Sequence, residues 1–255
     1  MKKVELFKYY LLSITLIFMG CRGENVPDCF QGAGELIREE VTLGNFERII
    51  AFEGVQLVVS SGPQQQIVIE TGESLRNEVS AIVEDNILIL RNANNCNLFR
   101  EYGLTTIYVT SPNINEIRSS TGWPIRSEGV LNFPDLTLIT ESFNNPETET
   151  TDGSFDLTVN SQNLQLVANG IAYFKLSGSV ERLNATIAAG DSRIEAETLL
   201  AQEVIVNHRG SNDMLVNPQQ LLSGVIRGTG DIVSFNRPDS VAVSILYRGK
   251  LIYRD

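Results

Sequence analysis

The strongest constraint on the fold is a glycine that recurs at a fixed interval in the second half of the chain. Gly170, Gly190, Gly210 and Gly230 lie twenty residues apart. After the first three, apolar and mostly polar residues alternate at matching offsets, as in a strand with one buried face. One such short unit cannot bury its apolar face, whereas stacked units can. The pattern therefore predicts an all-β chain that folds as a parallel β-solenoid, with roughly 20-residue repeats and a glycine at each sharp corner.

The alternation also predicts which side chains meet in the interior. Phe174, Ile194 and Met214 each stand four residues after a corner glycine, so stacked repeats should place them in one interior row. The residues six after the same glycines, which are Leu176, Ala196 and Val216, should form a second row. The fourth repeat keeps this register only in part.

The first half of the chain predicts strands and turns of a different kind. Short β-branched runs such as "VQLVVSSG" and "TTIYVTSP" end in Gly, Ser or Pro, and between 41 and 115 they alternate as hairpins do. The best helix candidate, Ser74 to Val83, is short. We expect a tether at 21–40, the main domain at 41–240 and a capping strand at 241–255. The last segment could instead mediate self-association, because an open strand edge can pair with another chain.

The first twenty residues are typical of an export signal. Three lysines precede an uncharged run that ends in "LIFMGC", and this run is too short to span a bilayer, which takes ~20 helical residues. The "LIFMGC" segment resembles a bacterial lipoprotein cleavage box. The resemblance implies a signal peptide at 1–20, lipidation of Cys21 and a membrane-anchored protein, which we expect in the outer membrane.

The net charge and the cysteine content limit the classes of ligand and the covalent links that the chain can have. The net charge of −11 disfavours nucleic acid, because an acidic chain repels phosphates. After Cys21, only Cys29 and Cys96 remain, and an even pair in an exported protein predicts a disulfide. Two thiols and one distant histidine do not indicate a metal site, and no motif indicates a cofactor.

One segment could carry chemistry. In "NHRGSNDMLVN" the only histidine, His208, stands close to Arg209, Ser211 and Asp213. A nucleophile and a base must lie within hydrogen-bond reach, but an aspartate also follows Gly190 and Gly230 directly, which favours a recurring turn over one catalytic centre. We therefore expect no catalytic residues here.

A surface role is the alternative for this segment. His208, Arg209 and Asp213 are candidates for a binding surface. The single tryptophan, Trp123, either joins that surface or fills the core.

These residues together resemble a known family. The segments "FERIIAFEGVQLVVSSG", "YVTSPNINEI", "AAGDSRIEA", "HRGSNDMLVN" and "RGTGDIVSFNRP" are similar to the head-GIN domain family of auto-transporter adhesins, exported proteins of which many come from Bacteroidetes. The likeness covers roughly 41–240, and "STGWPI" and "TESFNN" depart from the usual turn. The resemblance implies a right-handed parallel β-helix and a role in adhesion, and it provides no catalytic residues.

Three functions remain open from sequence. The first is a non-enzymatic envelope lipoprotein that presents a solenoid surface to a protein or a glycan. The second is a polysaccharide-active enzyme of the lyase kind, in which Arg209 and Asp213 would participate. The third is a periplasmic scaffold for a protein partner. The oligomeric state is not indicated.

Overall fold

The computed structural model describes residues 31–254, apart from residues 95, 97, 99–100, 144–146 and 149. The predicted signal peptide, the lipidation site Cys21 and the cysteine Cys29 lie outside the described residues. The lipid anchor and the Cys29–Cys96 disulfide therefore stay predictions.

The described chain is all-β, as the alternation predicted. The strands of the first half are β1 (Leu36–Val41), β2 (Arg48–Phe52), β3 (Gln56–Ser61), β4 (Gln66–Gly72), β5 (Val79–Glu84), β6 (Ile87–Asn92), β7 (Thr106–Ser111) and β8 (Glu116–Ser120). Those of the second half are β9 (Pro124–Leu131), β10 (Asp135–Thr140), β11 (Ser154–Ala168), β12 (Tyr173–Ile187), β13 (Arg193–His208), β14 (Met214–Ile226), β15 (Ile232–Ser234), β16 (Ser240–Ile245) and β17 (Leu251–Tyr253).

The helix candidate around Ser74 to Val83 is helical only at its start. A short 3₁₀ helix, Glu73–Glu78, occupies its start, and β5 takes the rest. Only Leu75 of this helix is buried, so no apolar stripe continues far enough to hold a longer helix. In the part of the chain that the structure describes, no helix is long and apolar enough to cross a membrane.

Strand pairing arranges the chain as two neighbouring rows of stacked strands. One row runs β5–β6–β2–β8–β10, then the second halves of β11 to β14, then β16. The other runs β1–β4–β7–β3–β9, then the first halves of β11 to β14, then β15 and β17. Each long strand thus begins in the second of these rows and ends in the first, and a corner loop then returns the chain to the second row.

The antiparallel pairs are confined to the N-terminal end. These are β1–β4, β4–β7 and β5–β6, while the other pairs are parallel. The prediction of hairpin-like strands in this region holds only in part, because β5 and β6 form a hairpin whereas β2 and β3 pair in parallel with β6 and β7. The predicted tether at 21–40 is too long, because its residues 36–40 belong to β1, which pairs with β4.

The spacing between rungs varies, so a strict 20-residue repeat is not what the structure shows. Ser154 pairs with Tyr173, nineteen residues on, and Ile194 pairs with Met214, twenty residues on. Met214 pairs with Ile232, only eighteen residues on. Between β10 and β11 the displacement is 28 residues, because the polar segment at 141–153 is inserted there. Parallel pairing fixes the direction of each rung but leaves the length of its corner loop free.

The interior row predicted from sequence is confirmed. Phe174 pairs with Ile194, Ile194 pairs with Met214, and all three are fully buried. The row continues to Ile232 at one end and to Phe155 at the other, where the rings of Phe155 and Phe174 stack with centroids 5.0 Å apart. The members of the second predicted row, Leu176, Ala196 and Val216, are also buried.

The corner positions require glycine because the backbone of one corner lies too close to the backbone of the next for a side chain to fit. Gly190 has a positive φ of 88°, and a methyl group there would lie 2.2 Å from the carbonyl oxygen of Gly170. Gly190 O in turn accepts a hydrogen bond from Ser211 N at 2.9 Å. The glycine stacked on Gly210 is Gly228, since a methyl group on Gly228 would lie 2.0 Å from Gly210 O. The twenty-residue period predicted Gly230 at this position. The structure places Gly228 there instead, because this rung is displaced from the previous one by only eighteen residues.

A buried ion pair lies beside the irregular middle rungs. Arg118 on β8 donates to Glu141 Oε1 at 3.1 and 3.2 Å and to Glu141 O at 2.8 Å. The side chains are only 9% and 3% exposed, and Glu141 Oε2 also accepts from Phe143 N at 2.7 Å. Burying such a pair costs less when further hydrogen bonds engage its atoms, and here both carboxylate oxygens of Glu141 accept hydrogen bonds.

Candidate functional site

His208, the residue most suggestive of catalysis, is a core residue. It pairs with Ile187 on one side and Ile226 on the other, and its side chain is fully buried. Neither ring nitrogen makes a hydrogen bond of good geometry, although the backbone of Asn212 and Gly230 lies beside the ring. Burial lowers the pKa of His208, because removal from water disfavours the charged imidazolium, and the Asn212 backbone, Asp213 and Asp231 oppose this only in part. The inclusion of His208 in a binding surface is therefore wrong.

The hydroxyl that would have been the nucleophile is engaged elsewhere. Ser211 Oγ donates to Gly190 O at 3.2 Å and contacts Asp191 Oδ1 at 2.5 Å. His208 is not among its partners, so the serine and the histidine do not form a nucleophile and base pair.

The corner aspartates connect one rung to the next. Asp213 Oδ1 accepts from Asp231 N at 3.0 Å, and Asp231 Oδ1 accepts from Lys250 N at 2.8 Å. Each carboxylate thus satisfies a backbone N–H of the following corner, where the chain leaves the sheet ladder. This is the recurring turn role that the sequence favoured. Among residues 31–254 as described, no group of three or more His, Cys, Asp or Glu is placed to hold a metal ion.

Two other predicted surface residues are accessible but lie apart. Arg209 is exposed next to the corner. Trp123 is half-buried at the start of β9, where its indole packs on Gly103 so closely that a methyl group there would come within 2.7 Å of the ring. Pro124 pairs with Ser154, and Ser154 pairs with Tyr173, so Trp123 lies several rungs away from Arg209.

A better defined polar surface lies on the outer side of β11, β12 and β13. It consists of Asp156, Tyr173, Lys175, Arg193 and Glu195, and we call it the β11–β13 flank. Tyr173 pairs with Arg193, and Lys175 pairs with both Asp156 and Glu195, so three adjacent rungs present these side chains together. The sequence indicated part of this surface, because Lys175 and Glu195 are the polar residues between the positions of the two predicted buried rows.

Hydrogen bonds order the β11–β13 flank. The Tyr173 hydroxyl donates to Glu195 Oε2, and Arg193 Nε donates to Glu195 Oε1 at 2.8 Å. Arg193 also donates to Asn212 Oδ1 at 3.1 Å, and Lys175 lies 3.3 Å from Asp156 Oδ2. The Tyr173 hydroxyl and the Arg193 guanidinium therefore share the Glu195 carboxylate, one on each of its oxygens.

The ionisation of the flank follows from these contacts. The hydrogen bond to Glu195, together with burial, raises the pKa of Tyr173 to about 12. The Tyr173 and Arg193 hydrogen bonds lower the pKa of Glu195, and the bond to Glu195 raises the pKa of Arg193. The flank thus presents a neutral phenol, a carboxylate and a guanidinium at neutral pH. Side chains of these types can form hydrogen bonds with hydroxyl and amide groups, and a phenol ring can stack on apolar rings.

Comparison with solved structures finds the same fold in other proteins. A putative adhesin from Bacteroides fragilis NCTC 9343 matches with a TM-score of 0.75 and 20% identity over 88% of this chain and 99% of that one. A putative lipid binding protein from Parabacteroides distasonis matches with a TM-score of 0.61, at 15% identity over 87% of this chain and 98% of that one. A putative adhesin from Parabacteroides merdae matches with a TM-score of 0.60, at 14% identity over 88% and 98%. At these identities the matches establish the fold alone.

The family comparison covers most of the domain. The comparison with curated proteins finds no match. The family model described as "Putative auto-transporter adhesin, head GIN domain" matches residues 45–238, which include the parallel rungs, the corner aspartates and the β11–β13 flank. The chain therefore belongs to the head-GIN domain family of auto-transporter adhesins.

Proposed function

We propose that this protein is a non-enzymatic cell-envelope adhesin that binds its ligand on the β11–β13 flank. The observation that supports the proposal is the hydrogen-bonded set of Tyr173, Arg193 and Glu195 on the adjacent rungs β12 and β13, within a chain of an adhesin-type family. Since Ser211 and Asp213 bond to neighbouring corners and His208 is buried, the segment that suggested chemistry acts as scaffold. The ligand is a protein or a glycan, and the exposed tyrosine ring between hydrogen-bonding groups favours a glycan.

Binding to immobilised glycans and to intact cells tests the ligand class. We expect Tyr173→Ala to weaken binding about tenfold, because it removes a stacking surface and a partner of Glu195. Tyr247→Ala, which removes another exposed tyrosine, is the matched control and should leave binding unchanged. Oxidation of the cell-surface sugars with periodate should abolish binding. Binding that survives both Tyr173→Ala and periodate would contradict a glycan site on this flank.

We propose further that the protein is held in the outer membrane by lipid on Cys21. The support is the export signal followed by "LIFMGC", and stable anchoring needs more than one acyl chain. Cys21→Ser should move the protein from the membrane fraction to the soluble fraction. Protease treatment of intact cells then distinguishes surface display from a periplasmic position, because only displayed protein is degraded.

We also propose that the parallel rungs coil as a right-handed β-helix, with repeats near 20 residues in the C-terminal half. The support is the strong preference for right-handed connections between parallel strands, together with pairing displacements of nineteen and twenty residues. A crystal structure of the domain would test the hand directly, and a left-handed coil would refute this proposal.

A further inference from the structure

The strand β16 leaves one backbone edge open. It pairs with β14 on one side and with no other strand in the described part of the chain. Leu246 N donates to Ile226 O at 2.9 Å, and alternate residues of a parallel strand direct their backbone groups to the same side. The backbone groups of Val241, Val243 and Ile245 therefore point away from β14. Each such unpaired row is a template for another strand.

The side chains of the same residues are the last members of interior rows. Val241 and Ile245 continue the rows of Leu222 and Ile226. Leu222 and Ile226 are fully buried, but Val241 is 46% exposed and Ile245 is 50% exposed. Val243, between them, is half-buried. The open edge thus combines unpaired backbone with apolar side chains that one more rung would cover.

We propose that a second copy of this chain provides that rung, through antiparallel pairing of β16 with β16 about a two-fold axis. A pairing that keeps interior side chains inside must place odd-numbered residues opposite odd-numbered residues. Centring the axis on Val243 does so, and it sets Val241 opposite Ile245 of the second copy. This register covers both of the exposed apolar residues.

Charge supports a second copy as the occupant. The sequence of β16, SVAVSI, has no charged residue, so identical strands meet without repulsion. Continued past the strand, the same register brings Asp239 within one residue of the position opposite Arg248 of the second copy, and both residues are exposed. By contrast, the open edge of β1 at the other end carries Arg38, Glu39 and Glu40, and charges of this kind protect an edge from pairing.

Cysteine cross-linking tests the register. We expect Val243→Cys in the full chain to give a disulfide-linked dimer on a non-reducing gel, because directly opposed Cα atoms lie about 5.5 Å apart, within disulfide range. Val241→Cys is the matched control on the same strand face. Its two copies would be about 13 Å apart, four residues along the strand, and should not cross-link. Absence of the Val243→Cys dimer, or equal cross-linking of the two variants, would overturn the proposal.

Charge reversal tests the same interface without cysteine. In sedimentation of the full chain, Asp239→Arg should raise the dimer dissociation constant about tenfold, because it replaces two attractions with two repulsions. Adding Arg248→Asp to that variant should restore dimerisation. A wild-type chain that sediments as a monomer throughout, or a double variant that stays as weak as the single one, would refute the pairing.

Discussion

The single histidine makes the pH dependence of folding a direct test of the core. His208 is fully buried, its ring nitrogens make no hydrogen bond of good geometry, and burial lowers its pKa. The unfolded chain binds a proton on this residue below pH ~6.5, whereas the folded chain does so only at lower pH. Because the unfolded state then binds more protons, acid favours unfolding. The free energy of unfolding therefore has its full value above pH ~6.5 and decreases as the pH falls towards the folded pKa of His208.

The size of the effect follows from linkage. While the unfolded imidazole is charged and the folded one is neutral, each pH unit costs about 1.4 kcal/mol of the free energy of unfolding. Between about pH 7.5 and pH 5.0 the loss is therefore up to about 2 kcal/mol. Carboxylates also titrate in this range, so the effect must be read as a difference between two variants.

The control is His208→Leu, which replaces the imidazole between Ile187 and Ile226 with an apolar side chain of similar volume. Urea unfolding should show the variant more stable than the wild type by about 1–3 kcal/mol near neutral pH, because it removes an unpaired buried polar group. The gap between the two proteins should widen on going to pH 5.0, by up to about 2 kcal/mol. If the two stability curves run parallel across this range, or if the wild type gains stability in acid, the burial argument is refuted.

Three further outcomes test the packing. Phe174→Ala should cost about 3–5 kcal/mol in urea unfolding, because the surrounding rungs cannot collapse onto the cavity. Gly190→Ala should lower the melting temperature by several degrees, since its methyl group would meet a carbonyl oxygen at 2.2 Å at a positive φ, whereas Gly44→Ala, with no atom within 4 Å, should change little. Arg118→Met should cost about 3–5 kcal/mol in urea unfolding because it leaves Glu141 charged and buried, and Arg118→Met combined with Glu141→Leu should recover much of that loss.

The interior of the C-terminal half could be predicted from sequence because its determinants are local and repeated. Alternation sets which side chains of a strand face inward, and a recurring offset sets which of them share a row. This is why Phe174, Ile194 and Met214 were identified correctly. The corner aspartates were assigned a turn role for the same reason, since they recur after the glycines.

The alternation did not reveal the burial of His208. Its neighbours in "NHRGSNDM" are polar, and a polar segment favours a surface site. The register of β13 with β12 and β14 decided otherwise, because it placed His208 between Ile187 and Ile226. The shift from Gly230 to Gly228 has a similar origin, since a rung can shorten by two residues without changing its strand pattern.

What the sequence by itself determined is the strand content, the inward-facing rows and the approximate repeat, all of which depend on residues close together in the chain. Only the tertiary structure decided the rung spacings, the β11–β13 flank and the open edge at β16. These features depend on which residues of separate strands lie opposite each other, and a backbone hydrogen-bond ladder forms equally well at several displacements. Packing of the whole interior selects among them, and that selection leaves no local signal in the sequence.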